Sequence, residues 1–332
     1  MTLLAPEEQA RTGEGTGTPA ISVVICTYHE RRFGDLVAAC ASVTAQLAPH
    51  DELIVVVDHN PELLSRVDRE IPGVHTVASA GPRGLSGARN TGVRLSHCPV
   101  VAFLDDDATA ADGWLDRVRA GFGDPAVQVV GTAVAPRWAG GAAPRWFPPE
   151  FGWVVGCGYR GLPTVPAPVR NPIGASMAVR RACFSEVGGF SEVVGRIGTL
   201  PVGCEETEFC IRLTRRHTHA AVVFDPRARV DHLVPTERQR FGYFLRRCYH
   251  EGRSKRAVAA LTGPGDALAS ERRYVRRVLP RGVALGLAGA IRRPSGLLRS
   301  GAILAGLTVT VLGYLAGQPA GIAGARAGRT DR

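Results

Sequence analysis

Residues 100–107 read VVAFLDDD, five apolar residues closed by three aspartates. The apolar run is short and β-branched or aromatic, which predicts a strand buried on both faces. Packed carboxylates repel one another unless a cation lies among them, and a hard divalent cation prefers oxygen ligands. Taken alone, the acidic run reads as a surface turn that caps the next helix. Its place at the carboxyl end of a strand reverses that reading, provided the rest of the chain builds a sheet.

The flanking sequence does. Upstream lie a strand at 21–26 (ISVVIC), helix-like spacing over 35–47, a strand at 53–57 (LIVVV) stopping at Asp58, a third at 74–77 and a glycine-led turn entering a helix at 85–95. Downstream come a helix over 113–122 and a strand over 127–134. Strands alternating with helices predict an α/β fold with a mostly parallel sheet and helices on both faces. Ligands then bind outside the carboxyl ends of the strands, where Thr27, Asp58 and Asp105, Asp106 and Asp107 fall. Residues 136–172 break the rhythm, rich in proline and glycine and carrying Trp138, Trp146 and Trp153. A loop of that length is functional or mobile, and its tryptophans either stack on a ligand or pack the loop down. After it come 173–179, a Gly-Gly-Phe turn at 188–190, an acidic run (Glu205, Glu206, Glu208) before helix-like 209–213, and a last strand at 220–224.

With 332 residues, 45% hydrophobic and 21% charged, the chain is neither disordered, collagen-like nor a small disulfide scaffold. None of its eight cysteines forms a Cys-x-x-Cys pair, which argues for buried thiols in a reducing cytoplasm rather than a zinc cluster. The net charge of +10 is unevenly placed. Residues 238–332 hold 18 basic and 4 acidic residues, and the first 237 hold 22 and 26. That basic end carries no nucleic-acid-binding motif, so no nucleic-acid partner is expected.

Several side chains have chemistry to offer. Asp58 can accept hydrogen bonds from a ribose or base, or cap a turn. GPRGLSGARNTG (81–92) supplies Arg83 and Arg89 beside flexible glycines, a pattern suited to a diphosphate although it is not a Walker loop. A carboxylate of the Glu205–Glu206 pair can deprotonate a hydroxyl, or simply complement a helix dipole. His232, placed after the last strand, is either structural or within reach of a metal.

These pieces, in this order over residues 20–251, resemble inverting glycosyltransferases of family 2, which have the GT-A fold. ISVVICTYHE is similar to that family's opening strand, with His29 where asparagine is usual. LIVVVDHN is similar to its second strand, with Val57 replacing the first of two aspartates. GLSGARNTG, FLDDD, the Glu205–Glu206 pair and RNPIGASMAVRR (170–181) resemble its helix start, metal motif, catalytic-base pair and acceptor-side segment. The resemblance implies a nucleotide-diphosphate sugar donor bound by Thr27, Tyr28, Glu30, Asp58, Arg83, Arg89, Asn90, Asp105 and Asp106. It implies Mn2+ or Mg2+ held by Asp107 and Asp105; His232 is a further candidate ligand on its own position after the last strand, outside the matched motifs. Glu206 is the implied base, with Glu205 as the other candidate, in a single displacement that inverts the anomeric carbon.

The basic end bears on the acceptor. Residues 238–255 read as a basic amphipathic helix, suited to a membrane surface or to packing on the domain. Residues 301–318 are uncharged and close to the ~20 needed to span a bilayer, with a shorter apolar stretch at 283–291. The expected organisation is a disordered N-terminus (1–19), a GT-A domain (20–237), a basic helical region (238–300), a candidate membrane segment (301–318) and a basic tail (319–332). The expected protein works at the cytoplasmic face of the cell membrane, associated or single-span, on a lipid-linked or glycan acceptor. The competing reading is a non-catalytic nucleotide-sugar-binding scaffold on the same fold.

Overall fold

Strand β1 (Ile21–Thr27) pairs in parallel with β2 (Glu52–Val57) on one side and β4 (Val100–Asp105) on the other, and β2 pairs in parallel with β3 (His75–Ala78). The structure is a computed structural model and describes residues 18–192, 204–263, 269–291 and 293–317. The expected N-terminal segment, apart from residues 18 and 19, and the tail at 319–332 lie outside these residues.

The apolar runs that announced the strands are buried on both faces, because alternate side chains enter opposite cores. Val23 and Ile25 join Leu53, Val55, Val100, Ala102 and Leu104 in one core. Val24 joins Ile54, Val56, Val101 and Phe103 in the other. Helices α1 (Phe33–Thr44), α2 (Pro61–Glu70) and α4 (Trp114–Gly121) cover the first face. Helices α3 (Leu85–Leu95), α5 (Arg181–Val187) and α6 (Glu205–Arg216) cover the second. Helix α2, between the second and third strands, is capped by Asn60, whose Oδ1 accepts from the Leu63 N–H, and has Pro61 in its first turn. Gly87 in α3 is needed for space, since a Cβ there would strike the Pro82 carbonyl.

Beyond β4 the sheet turns mixed. Strand β8 (Ser176–Arg180) runs antiparallel between β4 and β6 (Val127–Trp138), and β6 pairs in parallel with β9 (Ala221–Val234). The short β5 (Ala108–Ala110) and β7 (Ala167–Pro168) both pair antiparallel with β9. The last strand is therefore far longer than the expected 220–224, and His232 lies on it rather than after it. Asp225, Arg227 and Arg229 interrupt the apolar pattern, but β6 also runs on to Trp138, and a register shift between Thr132 and Ala133 lets the two continue side by side. Strand β5 has three residues, too few for any period to show.

Helix α7 (Phe241–Thr262) follows, then α8 (Ala269–Arg273), which passes through a π-turn at Tyr274–Val278 into α9 (Leu279–Gly289), and α10 (Ser295–Ala316). Of the two readings open for 238–255, packing is the one seen. Phe244, Cys248 and Glu251 of α7 are buried, and Phe244 stacks on Phe241 and meets Trp146, Phe147 and Phe151. Trp138 and Trp146 thus pack the long loop down, while Trp153 lines a cavity.

Candidate active site

The three aspartates that end β4 point to different partners. Asp106 is buried, with Oδ2 accepting from the Thr27 hydroxyl at 2.8 Å and Oδ1 from Arg32 Nη1 at 2.6 Å. Asp107 is drawn into the β5–β9 ladder, where Ala108 stands opposite His232 and the Leu233 N–H donates to the Asp107 carbonyl. That register brings together residues 125 positions apart in sequence. His232 Nε2 lies 3.1 Å from Asp107 Oδ1, Arg32 Nη2 lies 3.0 Å from Oδ2, and Arg238 Nη2 lies 3.8 Å from Oδ2. Asp105, Asp107 and His232 offer ligand atoms within 4.8 Å of one another.

The electrostatics of the trio follow from its neighbours. Burial works against ionisation of Asp107, but His232 and the two arginines outweigh it and hold the carboxyl well below its ordinary range. Burial alone would lower the pKa of His232; the facing Asp107 carboxylate overrides it and raises it to about 10. Two carboxylates and an imidazole, once the cation has displaced its Nε2 proton, make a donor set for a divalent cation. Asp107 Oδ1 fits that role, being buried and accepting no hydrogen bond. The other ring nitrogen, Nδ1, faces Cys157 Sγ at 3.6 Å, a contact that fixes the imidazole's orientation.

A second acidic group stands at the N-terminus of α6. Cys204 precedes it with a positive φ of 81°, a strained conformation for a residue with a side chain. Glu205 is buried, its Oε1 accepting from Arg89 Nη1 at 3.0 Å and its Oε2 left without a hydrogen bond. Glu206 is half-buried, lines the cavity and makes no ion pair among the described residues. Burial raises its pKa to about 8, and the neighbouring Glu205 charge pushes the same way.

Arg89 joins the two groups. Besides Glu205, its guanidinium meets Asp105 Oδ1 at 3.3 Å and the Gly174 carbonyl at 2.6 Å. It is 2% exposed, bridges the two acidic groups and reaches the cavity wall. A Cβ on Gly174 would come within 3.7 Å of Glu206 Oε2 and closer still to Arg89.

The remaining expected residues spread out. Asp58 ends β2 beside Thr27, with Oδ2 accepting from the Gly84 N–H at 2.9 Å and Oδ1 2.6 Å from His59 Nδ1. Tyr28 and Arg83 are exposed. Glu30 pairs with Arg66 on the surface at 2.9 Å. Asn90 faces inward: its amide donates to the Phe190 carbonyl and accepts from the Phe190 N–H, tying down the Gly-Gly-Phe turn. The structure also brings in Arg32, Arg238 and Cys157, none of which sits in a motif.

Arg89, Asp105, Glu205, Glu206 and His232 line a cavity of about 850 Å³. Its far wall comes from the helical end of the chain, through Lys255, Tyr274, Val278, Leu307 and Tyr314.

The sequence pattern of glycosyl transferase family 2 matches residues 22–188 of this chain. A glucosyl-dolichyl phosphate glucuronosyltransferase of Haloferax volcanii is 35% identical over 245 residues, covering 73% of this chain and 78% of that protein. The chain belongs to glycosyltransferase family 2. A pre-mycofactocin glycosyltransferase of Mycobacterium tuberculosis is 32% identical over 167 residues, 49% of this chain and 32% of that one. Among solved structures, a mannosyltransferase of Pyrobaculum calidifontis in complex with GDP-Man and Mn2+ superimposes with a TM-score of 0.55 at 16% identity, covering 89% of this chain and 88% of that one. That likeness gives this family 2 enzyme the GT-A fold, as expected from its sequence. The protein is a glycosyltransferase with an Asp-x-Asp-type site whose Asp-Asp-His cluster fits a divalent metal.

Proposed function

We propose that this glycosyltransferase moves a sugar from a nucleotide-diphosphate donor, with inversion at the anomeric carbon, to a lipid-linked or cell-surface glycan acceptor at the cytoplasmic face of a membrane. One observation carries the reading. A single cavity combines a cation-type cluster with a carboxyl, Glu206, whose surroundings favour taking up a proton. Asp105, Asp107 and His232 would hold Mn2+ or Mg2+, which when bound neutralises charge on the departing nucleoside diphosphate. Asp58, beside Thr27 and Gly84, serves the ribose or base, and Arg83 on the adjoining turn serves the diphosphate. Thr27, Asp106 and Arg32 hold the end of β4 in place. Arg89 positions Asp105 and Glu205.

Glu206 is the base. It is free of ion pairs among the described residues, unlike Glu205, and a carboxyl with high proton affinity is the stronger acceptor for a hydroxyl proton. The attacking oxygen displaces the diphosphate in one step, and its proton passes to Glu206 when the acceptor is a hydroxyl. The name of the Haloferax volcanii relative supports a lipid-linked acceptor. Residues 20–237 are the catalytic domain in this proposal, and the helices after them both wall the cavity and direct the enzyme to membrane.

The test is a screen of nucleotide-diphosphate sugars for manganese-dependent release of nucleotide, with membranes added and withheld. Release from at least one donor, stopped by chelation and by Asp107→Ala and Glu206→Gln, is the expected result. Activity unchanged in both variants overturns the proposal.

A further inference from the structure

Helix α10 wears its larger side chains on the outside. Its buried positions are mostly small, including Gly296, Ser300, Ala302, Gly306 and Gly313. Its exposed stripe carries Leu297, Leu298, Leu304, Val311, Leu312 and Leu315, each between 48% and 73% exposed. Leu297, Leu304 and Val311 recur every seven residues, with Leu298, Leu312 and Leu315 beside them, so the six share one side of the helix. Leu285, Leu287 and Ile291 extend the apolar surface through α9 and the turn that follows. The same helical end carries seven exposed arginines, at 272, 273, 276, 277, 281, 293 and 299, of which Arg273 and Arg277 reach the cavity. From residue 269 onward Glu271 is the only acid among the described residues, and it already pairs with Arg170 and Lys255.

By length and composition alone, Ser295–Ala316 could cross a bilayer. Its packing says otherwise. Phe244 of α7 lies against Gly306, Tyr249 against Gly313 and Arg256 against Gly317, so the two helices run side by side in the same direction. A Cβ on Gly252 would strike the Thr310 carbonyl, and one on Gly313 the Tyr249 carbonyl. Backbones this close move together. A spanning α10 would therefore carry Arg246, Arg247, Glu251, Arg253, Lys255 and Arg256 to bilayer depth, where charged groups are costly.

We infer that the α9–α10 face lies in the plane of an anionic membrane leaflet, with the leucine stripe sunk into the acyl boundary and the arginines among the headgroups. Exposed arginines and an exposed leucine stripe on the same helices match such a surface. A second copy of the chain matches it less well, because a two-fold contact would set arginine against arginine. The inference deepens the proposed lipid-linked acceptor and rests on it for its meaning. Leu307, Val311 and Tyr314 belong to the same helix and line the cavity with Glu206, so a lipid tail seated in the leaflet reaches that cavity without crossing water.

Leu298→Trp, Leu304→Trp, Leu312→Trp and Leu315→Trp in the full chain, each read as quenching in excess of that of the four native tryptophans in bilayers of anionic lipid brominated at different depths, test the geometry. An in-plane helix gives all four the same shallow depth. A spanning helix separates 298 from 315 by about 25 Å along the membrane normal and overturns the inference. Absence of quenching at all four positions, with the protein dimeric, overturns it in favour of a second copy. Vesicle sedimentation adds an independent arm. Arg276→Gln and Arg281→Gln should each weaken binding about fivefold, and zwitterionic vesicles should bind less than anionic ones. Leu304→Glu with Leu312→Glu should release the protein from vesicles while manganese-dependent nucleotide release continues. Membrane depth is read without turnover, so failure of the catalytic reading and failure of this one remain distinguishable.

Discussion

Two acidic groups meet at one cavity, the first through Asp105 and His232 and the second through Glu205 and Glu206, and their carboxyls are treated in opposite ways. At the end of β4, Asp107 is ringed by His232, Arg32 and Arg238 and stays ionised although buried. At the start of α6, Glu206 has another carboxylate for a neighbour, and the nearby Arg89 is already engaged by Glu205, Asp105 and Gly174. Burial resists ionisation in both places, and the difference lies in the company each carboxyl keeps. The first environment suits holding a cation, the second accepting a proton, which is the general way one cavity assigns separate tasks to chemically similar groups.

The sharpest way to break this contrast is Glu206→Gln. Loss of a general base should lower kcat by about 10²–10⁴-fold, with manganese binding and the circular dichroism spectrum unchanged; a loss of metal binding instead would merge the two groups into one site. Asp107→Asn acts on the other side. Since even groups behind a metal ligand change affinity about 10–100-fold when altered, removing the ligand charge should weaken manganese binding by at least about 100-fold, measurable by titration calorimetry. The pH profile comes next. With the Glu206 pKa raised to about 8, kcat/KM should climb with pH up to about 8 and then level, as the base loses its proton; the rise is about tenfold per unit on the acid side. Any activity that remains in Glu206→Gln should lack this rise. The smallest effect on chemistry is expected at Asn90. Asn90→Ala leaves the Phe190 N–H and carbonyl without partners, which should cost about 1–3 kcal/mol of stability in denaturant melts, with the KM for donor little changed.

Legibility in the sequence tracks the range of the interaction. The buried strands, helix α3 and the acidic end of β4 are set by neighbours along the chain, and their patterns survive in any short window. Arg32, Arg238 and Cys157 could not be found that way, since each acts through a partner far off in sequence. Asn90 sits within a matching motif and so invited a ligand role, yet its amide is committed to Phe190 across 100 residues.

The sequence by itself determined the α/β class, the family, the acidic strand end and the basic, apolar character of the last 95 residues, because each is a matter of composition or local period. Only tertiary structure decided that His232 joins Asp107, through a three-residue strand pairing with a fourteen-residue one. It alone decided that Arg89 braces both acidic groups, and that α10 is pressed against the charged helix α7. Those arrangements depend on strand register and on close glycine-mediated contact between helices, and neither leaves a periodic trace along the chain.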